Sequence, residues 1–137
     1  MTTMMKKKIL LVDDDKDLVT TLAQAISMNN FEVVTAFSST DGLKKILSEK
    51  PDLVILDVMM ETDTAGFEAV YQIRSKREGS KYAGVKDIPI IMLTAINQVT
   101  NSRFSLNADQ SFLPNISDFL TKPVDIDELI EKINKFV

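Results

Sequence analysis

Five short runs of apolar and β-branched residues recur along this 137-residue chain, separated by amphipathic segments. The runs are KILLV (8–12), FEVVTAF (31–37), LVILD (53–57), PIIML (89–93) and SDFL (117–120). Their length and composition suit β-strands, and the three that are almost continuously apolar suit a parallel sheet covered on both faces. Between them, apolar residues return at helical spacing: Leu18, Leu22, Ala25 and Ile26; Leu43, Ile46 and Leu47; Phe67, Val70 and Tyr71; Ile126, Leu129, Ile130 and Ile133. Asp125 with Glu128 three residues later predicts a capping box for the last helix, and Pro51 closes the second. Pro89 falls at the start of its strand, where a missing N–H is tolerated. Strands alternating with helices imply right-handed crossovers, hence a doubly wound α/β sheet with helices on both faces. The segment TAINQVTNSRFSLNADQSFLPNI (94–116) fits this scheme least. It is rich in Asn and Ser and interrupted by Pro114, so the fourth helix is expected to be atypical or short.

The length suits one domain spanning residues 1–137, with its core at about 7–137. A net charge of −4 argues against nucleic-acid binding, which rests on clustered Lys and Arg. Lys6 to Lys8 followed by ILLV imitates a signal peptide, but the apolar run is too short and DDDKD ends it. No run approaches the roughly 18 apolar residues of a membrane span, so a cytoplasmic protein is expected. The chain has no Cys and no His, which leaves carboxylates, hydroxyls and lysines to carry any chemistry.

Ligands of open α/β sheets bind outside the carboxyl ends of the strands. At that edge the sequence places Asp13 and Asp14 after the first strand, Asp57 at the end of the third, Thr94 after the fourth and Lys122 after the fifth. Two carboxylates about 4 Å apart repel by roughly 4 kcal/mol at an effective dielectric near 20, so three together require a cation or a shared proton. Oxygen-only donors suit a hard ion, Mg²⁺ better than Ca²⁺. Lys122 and Thr94 supply donors for a phosphoryl group, and the set reads as an aspartyl-phosphate site. Taken singly, each residue has an ordinary role: DDD as helix cap and first-turn charge, Asp57 and Thr94 as turn residues, Lys122 as a solvated lysine, Phe119 as packing. Their joint position behind the strands of one parallel sheet is what sets them apart.

With these residues in place, the chain resembles the receiver domain of two-component response regulators. LLVDDD, DLVILDVMM, IPIIMLTA and DFLTKP match in order across nearly the whole length. The resemblance implies the flavodoxin-like strand order 2-1-3-4-5, and the parallel-sheet rule used above itself names a member of this family. It also implies Mg²⁺, or Mn²⁺ in its place, held by Asp13, Asp14, Asp57 and the backbone carbonyl of Met59. Asp57 is the implied phosphoacceptor, Thr94 and Lys122 contact the phosphoryl oxygens, and Thr94 with Phe119 forms the switch. The Lys122–Pro123 bond is expected to be cis. The implied partners are a sensor histidine kinase or a histidine phosphotransfer protein, together with an unidentified protein target, without nucleic acid or membrane. The chain lacks room for an output domain and is expected either to act alone or to be the receiver portion of something larger.

Three departures from the family pattern stand out. In VMMETDTAGFE (58–68), Glu61 replaces a common Pro, and one extra residue precedes Gly66. REGSKYAGVKD (77–87) is long and is expected to be mobile, and the fourth connection is unusual. They keep open the reading of a pseudo-receiver, an interaction module not controlled by phosphorylation. Haloacid-dehalogenase-like phosphatases fit poorly, because Asp17 stands where a Thr or Val is usual and no acidic pair follows Lys122. A calcium loop would need Gly at Leu18 and Glu at Gln24. A flavodoxin-like cofactor binder would need a phosphate loop where DDDKD stands. Apolar Met59 and Ile96 flank the expected path of attacking water and predict slow self-dephosphorylation.

Overall fold

The computed structural model describes residues 6–62, 64–95 and 116–137. Its strands are β1 (Lys8–Val12), β2 (Glu32–Ala36), β3 (Leu53–Asp57), β4 (Ile90–Ala95) and β5 (Asp118–Lys122), and its helices are α1 (Lys16–Met28), α2 (Ser39–Glu49), α3 (Ala65–Ile73) and α4 (Ile126–Phe136). All strand pairs are parallel and the order is β2-β1-β3-β4-β5, the expected flavodoxin-like arrangement.

Successive strand residues point to opposite faces, so continuous apolar runs feed two cores. Leu10, Val12, Val54, Leu56, Ile90 and Met92 pack with Ile46 of α2 and with Phe67, Val70 and Ile73 of α3. Ile9, Leu11, Ile55, Ile91 and Leu93 pack with Leu22 and Ile26 of α1 and with Leu129 and Ile133 of α4. Each fully buried aliphatic side chain contributes roughly 1.5–3 kcal/mol relative to exposure. These central strands therefore form a rigid base for whatever follows their carboxyl ends.

Short polar residues start the helices. The Asp15 side chain accepts from Leu18 N, that of Ser38 from Asp41 N, and that of Asp125 from Glu128 N, each filling one of the orphan donors of a first turn. Helix α2 ends at Lys50, left-handed at φ 48°, immediately before Pro51. Some positions differ from the sequence reading. Tyr71 and Ile126 are exposed rather than on the apolar faces, and Val19 takes the fully buried place in α1 while Leu18 is only partly covered. Pro89 lies just ahead of β4, and its carbonyl accepts from Val54 N. After α3 the chain makes a 3-10 turn (Ala83–Val85), with Tyr82 buried beside it and Arg74 donating to the Lys86 carbonyl at 2.6 Å. The expectations for an atypical helix between β4 and β5, for Ile96 and for Pro114 lie outside the described residues. Among the described residues no helix is long and apolar enough to cross a membrane.

Candidate functional site

Strands β1 and β3 are neighbours with Val12 opposite Leu56, so Asp13 and Asp57 leave the sheet at the same level. The backbone holds both exits. Asp13 N donates to the Ala36 carbonyl at 3.1 Å, Val58 N to the Leu93 carbonyl at 3.0 Å, and Gly66 N to the Val58 carbonyl at 2.8 Å. Asp13, Asp57 and Thr94 are the buried polar side chains among the described residues, whereas Asp14 is exposed. One carboxylate oxygen from each of Asp13, Asp14 and Asp57 falls in a group whose members lie within 4.8 Å of one another.

Lys122 reaches this group from the end of β5. Its Nζ lies 3.1 Å from Asp13 Oδ2 and 3.3 Å from Asp57 Oδ1. Asp13 Oδ1 accepts from Asp15 N at 2.9 Å. The other oxygen, Oδ2, is buried and faces the Lys122 ammonium as an ion pair. Burial, and then the charge of Asp13, push the Asp57 carboxyl up to about 7 against the opposing pull of Lys122. Burial alone would lower the Lys122 ammonium, but Asp13 and Asp57 together hold it above its usual value. One ammonium cannot balance three ionised carboxylates. A hard cation with oxygen ligands suits this donor set, and the convergence of three carboxylates on a single ammonium is the observation that supports the fit.

Thr94 sits one step past Leu93, the register partner of Asp57, and its Oγ1 is 3.3 Å from the Ala95 carbonyl. Phe119 is opposite Met92 and is partly buried against the core shared with α2 and α3. The Lys122–Pro123 peptide bond is cis. Met59 is exposed, two residues after Asp57. The structure thus groups Asp13, Asp14 and Asp57, pairs Lys122 with Asp13 and Asp57, and places Thr94 one residue beyond the register partner of Asp57, whereas Phe119 packs against the core.

Two features were not legible from pattern. The three consecutive aspartates divide their labour: Asp15 caps α1, while Asp13 turns inward. Glu61, read from sequence only as a departure, reaches across 22 positions to the start of α2. Its neighbours in space, Ser38, Ser39 and Thr40, form a hydroxyl-rich helix start, the one sequence signal that pairs with an acid in the opposing loop.

A family model described as the response regulator receiver domain matches residues 9–134. Response regulator MprA of Mycobacterium ulcerans (strain Agy99) is 33% identical over 129 residues, covering 94% of this chain and 49% of that protein. The alkaline phosphatase synthesis transcriptional regulatory protein PhoP of Bacillus subtilis (strain 168) is 34% identical over 119 residues, covering 87% of this chain and 43% of that protein. The chain therefore spans about half the length of such curated relatives. Among solved structures, a CheY-like receiver domain protein from Methanospirillum hungatei JF-1 superposes with a TM-score of 0.73 at 30% identity, covering 96% of this chain and 93% of that one. Chemotaxis response regulator CheY4 of Vibrio cholerae gives 0.75 at 26% identity, covering 97% and 100%.

Proposed function

Because the chain belongs to the response regulator receiver domain family of two-component systems, we propose that it is a phosphoacceptor switch. In this reading Asp57 takes a phosphoryl group from a phosphohistidine on a sensor kinase or phosphotransfer protein and signals to a protein target. The observation that carries it is the position of Lys122 Nζ between Asp13 and Asp57 within a group of three converging carboxylates. Bound Mg²⁺ would neutralise negative charge and orient phosphoryl oxygens, with Asp13, Asp14, Asp57 and the Met59 carbonyl as its protein ligands.

In the transfer, an ionised Asp57 oxygen forms a bond to phosphorus while the bond to the donor imidazole nitrogen breaks, and that nitrogen keeps the electron pair. The role of Asp57 requires loss of its proton, which both Lys122 and a bound cation favour. Lys122 then exchanges its pairing with the Asp57 carboxylate for a charge-assisted bond to a phosphoryl oxygen. The Thr94 hydroxyl supplies a second donor, and its engagement draws Phe119 inward on β5. Moving such a switch from 1:99 to 99:1 takes about 5.5 kcal/mol of differential interaction, a scale that a few new charge-assisted bonds can reach.

The test is NMR with beryllofluoride, a phosphoryl mimic, in the presence and absence of Mg²⁺. Shifts at the Thr94 and Phe119 amides that require both reagents support the reading. Unchanged spectra would favour a pseudo-receiver.

A further inference from the structure

We propose that Glu61 is a positioning residue for the cation site, holding the loop that carries Met59 by clamping it to the start of helix α2. This inference rests on the reading of the site given above.

The clamp is a set of contacts between a loop carboxylate and a helix start remote in sequence. Ser39 N donates to Glu61 Oε1 at 3.0 Å and to Oε2 at 3.1 Å, Ser39 Oγ donates to Oε2 at 2.7 Å, and Thr40 N donates to Oε2 at 3.3 Å. An α-helix begins with four N–H groups that have no partner within the helix. In α2 the local cap Ser38 serves only Asp41 N, at 3.1 Å, and the Gly42 N–H already closes onto the Ser38 carbonyl. Two of the donors left over, on Ser39 and Thr40, are the ones Glu61 takes. A negative charge there also meets the positive end of the helix dipole.

The far end of the same loop is fixed independently. Val58 N and the Val58 carbonyl are bound to Leu93 and Gly66, and Met60 N donates to the Thr62 carbonyl at 3.1 Å. The Met59 backbone therefore lies between the sheet edge on one side and the Glu61 clamp on the other. Proline, which the family resemblance leads one to expect at this place, would stiffen the turn through its own ring. Glu61 achieves the restraint through a contact with a second element instead. Loss of the clamp frees one side of the loop and loosens the geometry of the Met59 carbonyl, while Asp13, Asp14 and Asp57 stay where the sheet puts them.

The experiment measures Mg²⁺ affinity by calorimetry, together with the thermal midpoint in chelator, for the wild-type chain and for Glu61→Ala, Glu61→Gln and Ser38→Ala. Ser38→Ala removes a cap from the same helix without touching the loop. The expected result is that Glu61→Ala and Ser38→Ala lower the midpoint similarly, but only Glu61→Ala weakens Mg²⁺ binding, by about tenfold, the lower end for a lost supporting partner. Glu61→Gln, which keeps one carbonyl acceptor, recovers part of that affinity. If Glu61→Ala lowers the midpoint and leaves Mg²⁺ affinity at the wild-type value, Glu61 is only a helix cap and the proposal is overturned. A wild-type chain that binds no Mg²⁺ overturns the reading of the site, and this inference with it.

Discussion

The ammonium of Lys122 lies 3.3 Å from an oxygen of Asp57, the carboxylate proposed above as the phosphoacceptor. Lys122 is one of the influences that hold the Asp57 carboxyl down against burial and Asp13. Replacing it by Met is therefore expected to raise the Asp57 pKa above its value of about 7, as read by NMR titration of the carboxyl carbon. Loss of a preorganised donor should also slow phosphorylation roughly a hundredfold. An unchanged titration would mean that the ion pair does not form in solution.

The raised Asp57 pKa sets a pH dependence for the metal-free protein. Between the ordinary value of 3.8 and about 7 the folded state holds a proton that the unfolded state has released. The stability tied to this group is thus fully present below 3.8 and is lost as pH rises through about 7. Asp57→Asn should remove that part of the slope, and near pH 8 in chelator it should be more stable than wild type. Urea denaturation at several pH values checks this. Parallel pH profiles for the two proteins would contradict it. Mg²⁺ binding competes with the same proton, so its affinity should rise as pH increases through neutrality.

Gly66 permits the close approach of α3 to the end of β3 by its lack of a side chain. A Cβ there would sit 2.2 Å from the Asp57 carbonyl oxygen and 2.8 Å from Val58 Cα, which is backbone that cannot swing aside. Helix propensity favours Ala over Gly by about 1 kcal/mol, but overpacking at this distance costs more, about 1–3 kcal/mol or above. Gly66→Ala should therefore destabilise the fold in urea and reduce phosphorylation by shifting the end of β3. A midpoint equal to or above wild type would show that the two backbones are not this close.

Met59, two residues after Asp57, leaves an apolar group exposed. Slow hydrolysis of the phosphorylated form is expected, and Met59→Asn should speed it by giving water a polar partner. Following the decay of the phosphorylated mass tests this. A wild-type lifetime of seconds that Met59→Asn leaves unchanged would contradict it.

The sheet was readable in sequence because its central strands β1, β3 and β4 are short apolar runs and two-sided burial demands that composition, as in ILLV before Asp13 and LVILD ending at Asp57. The placement of Asp13, Asp57, Thr94 and Lys122 at one edge followed from the carboxyl-end rule alone. What sequence could not supply were contacts between elements far apart in the chain. Periodicity cannot say that Asp15 caps α1, since the sequence reading offered DDD as a whole for that role and the carboxyl-end rule set apart only Asp13 and Asp14. Nor can it say that Glu61 binds Ser39 and Thr40, since that pairing depends on how α2 packs beside the β3–α3 loop. Tyr71 and Ile126 stand at helical spacing yet lie at the solvent margin, because the apolar stripe is wider than the surface that covers it.

The most direct test of the central claim is intact mass after incubation with Mg²⁺ and a small-molecule phosphodonor, with Asp57→Asn as control. The account predicts one added phosphoryl group, in the wild type only and with Mg²⁺ only. A wild type that gains no mass, or an Asp57→Asn protein that gains as much, would contradict it.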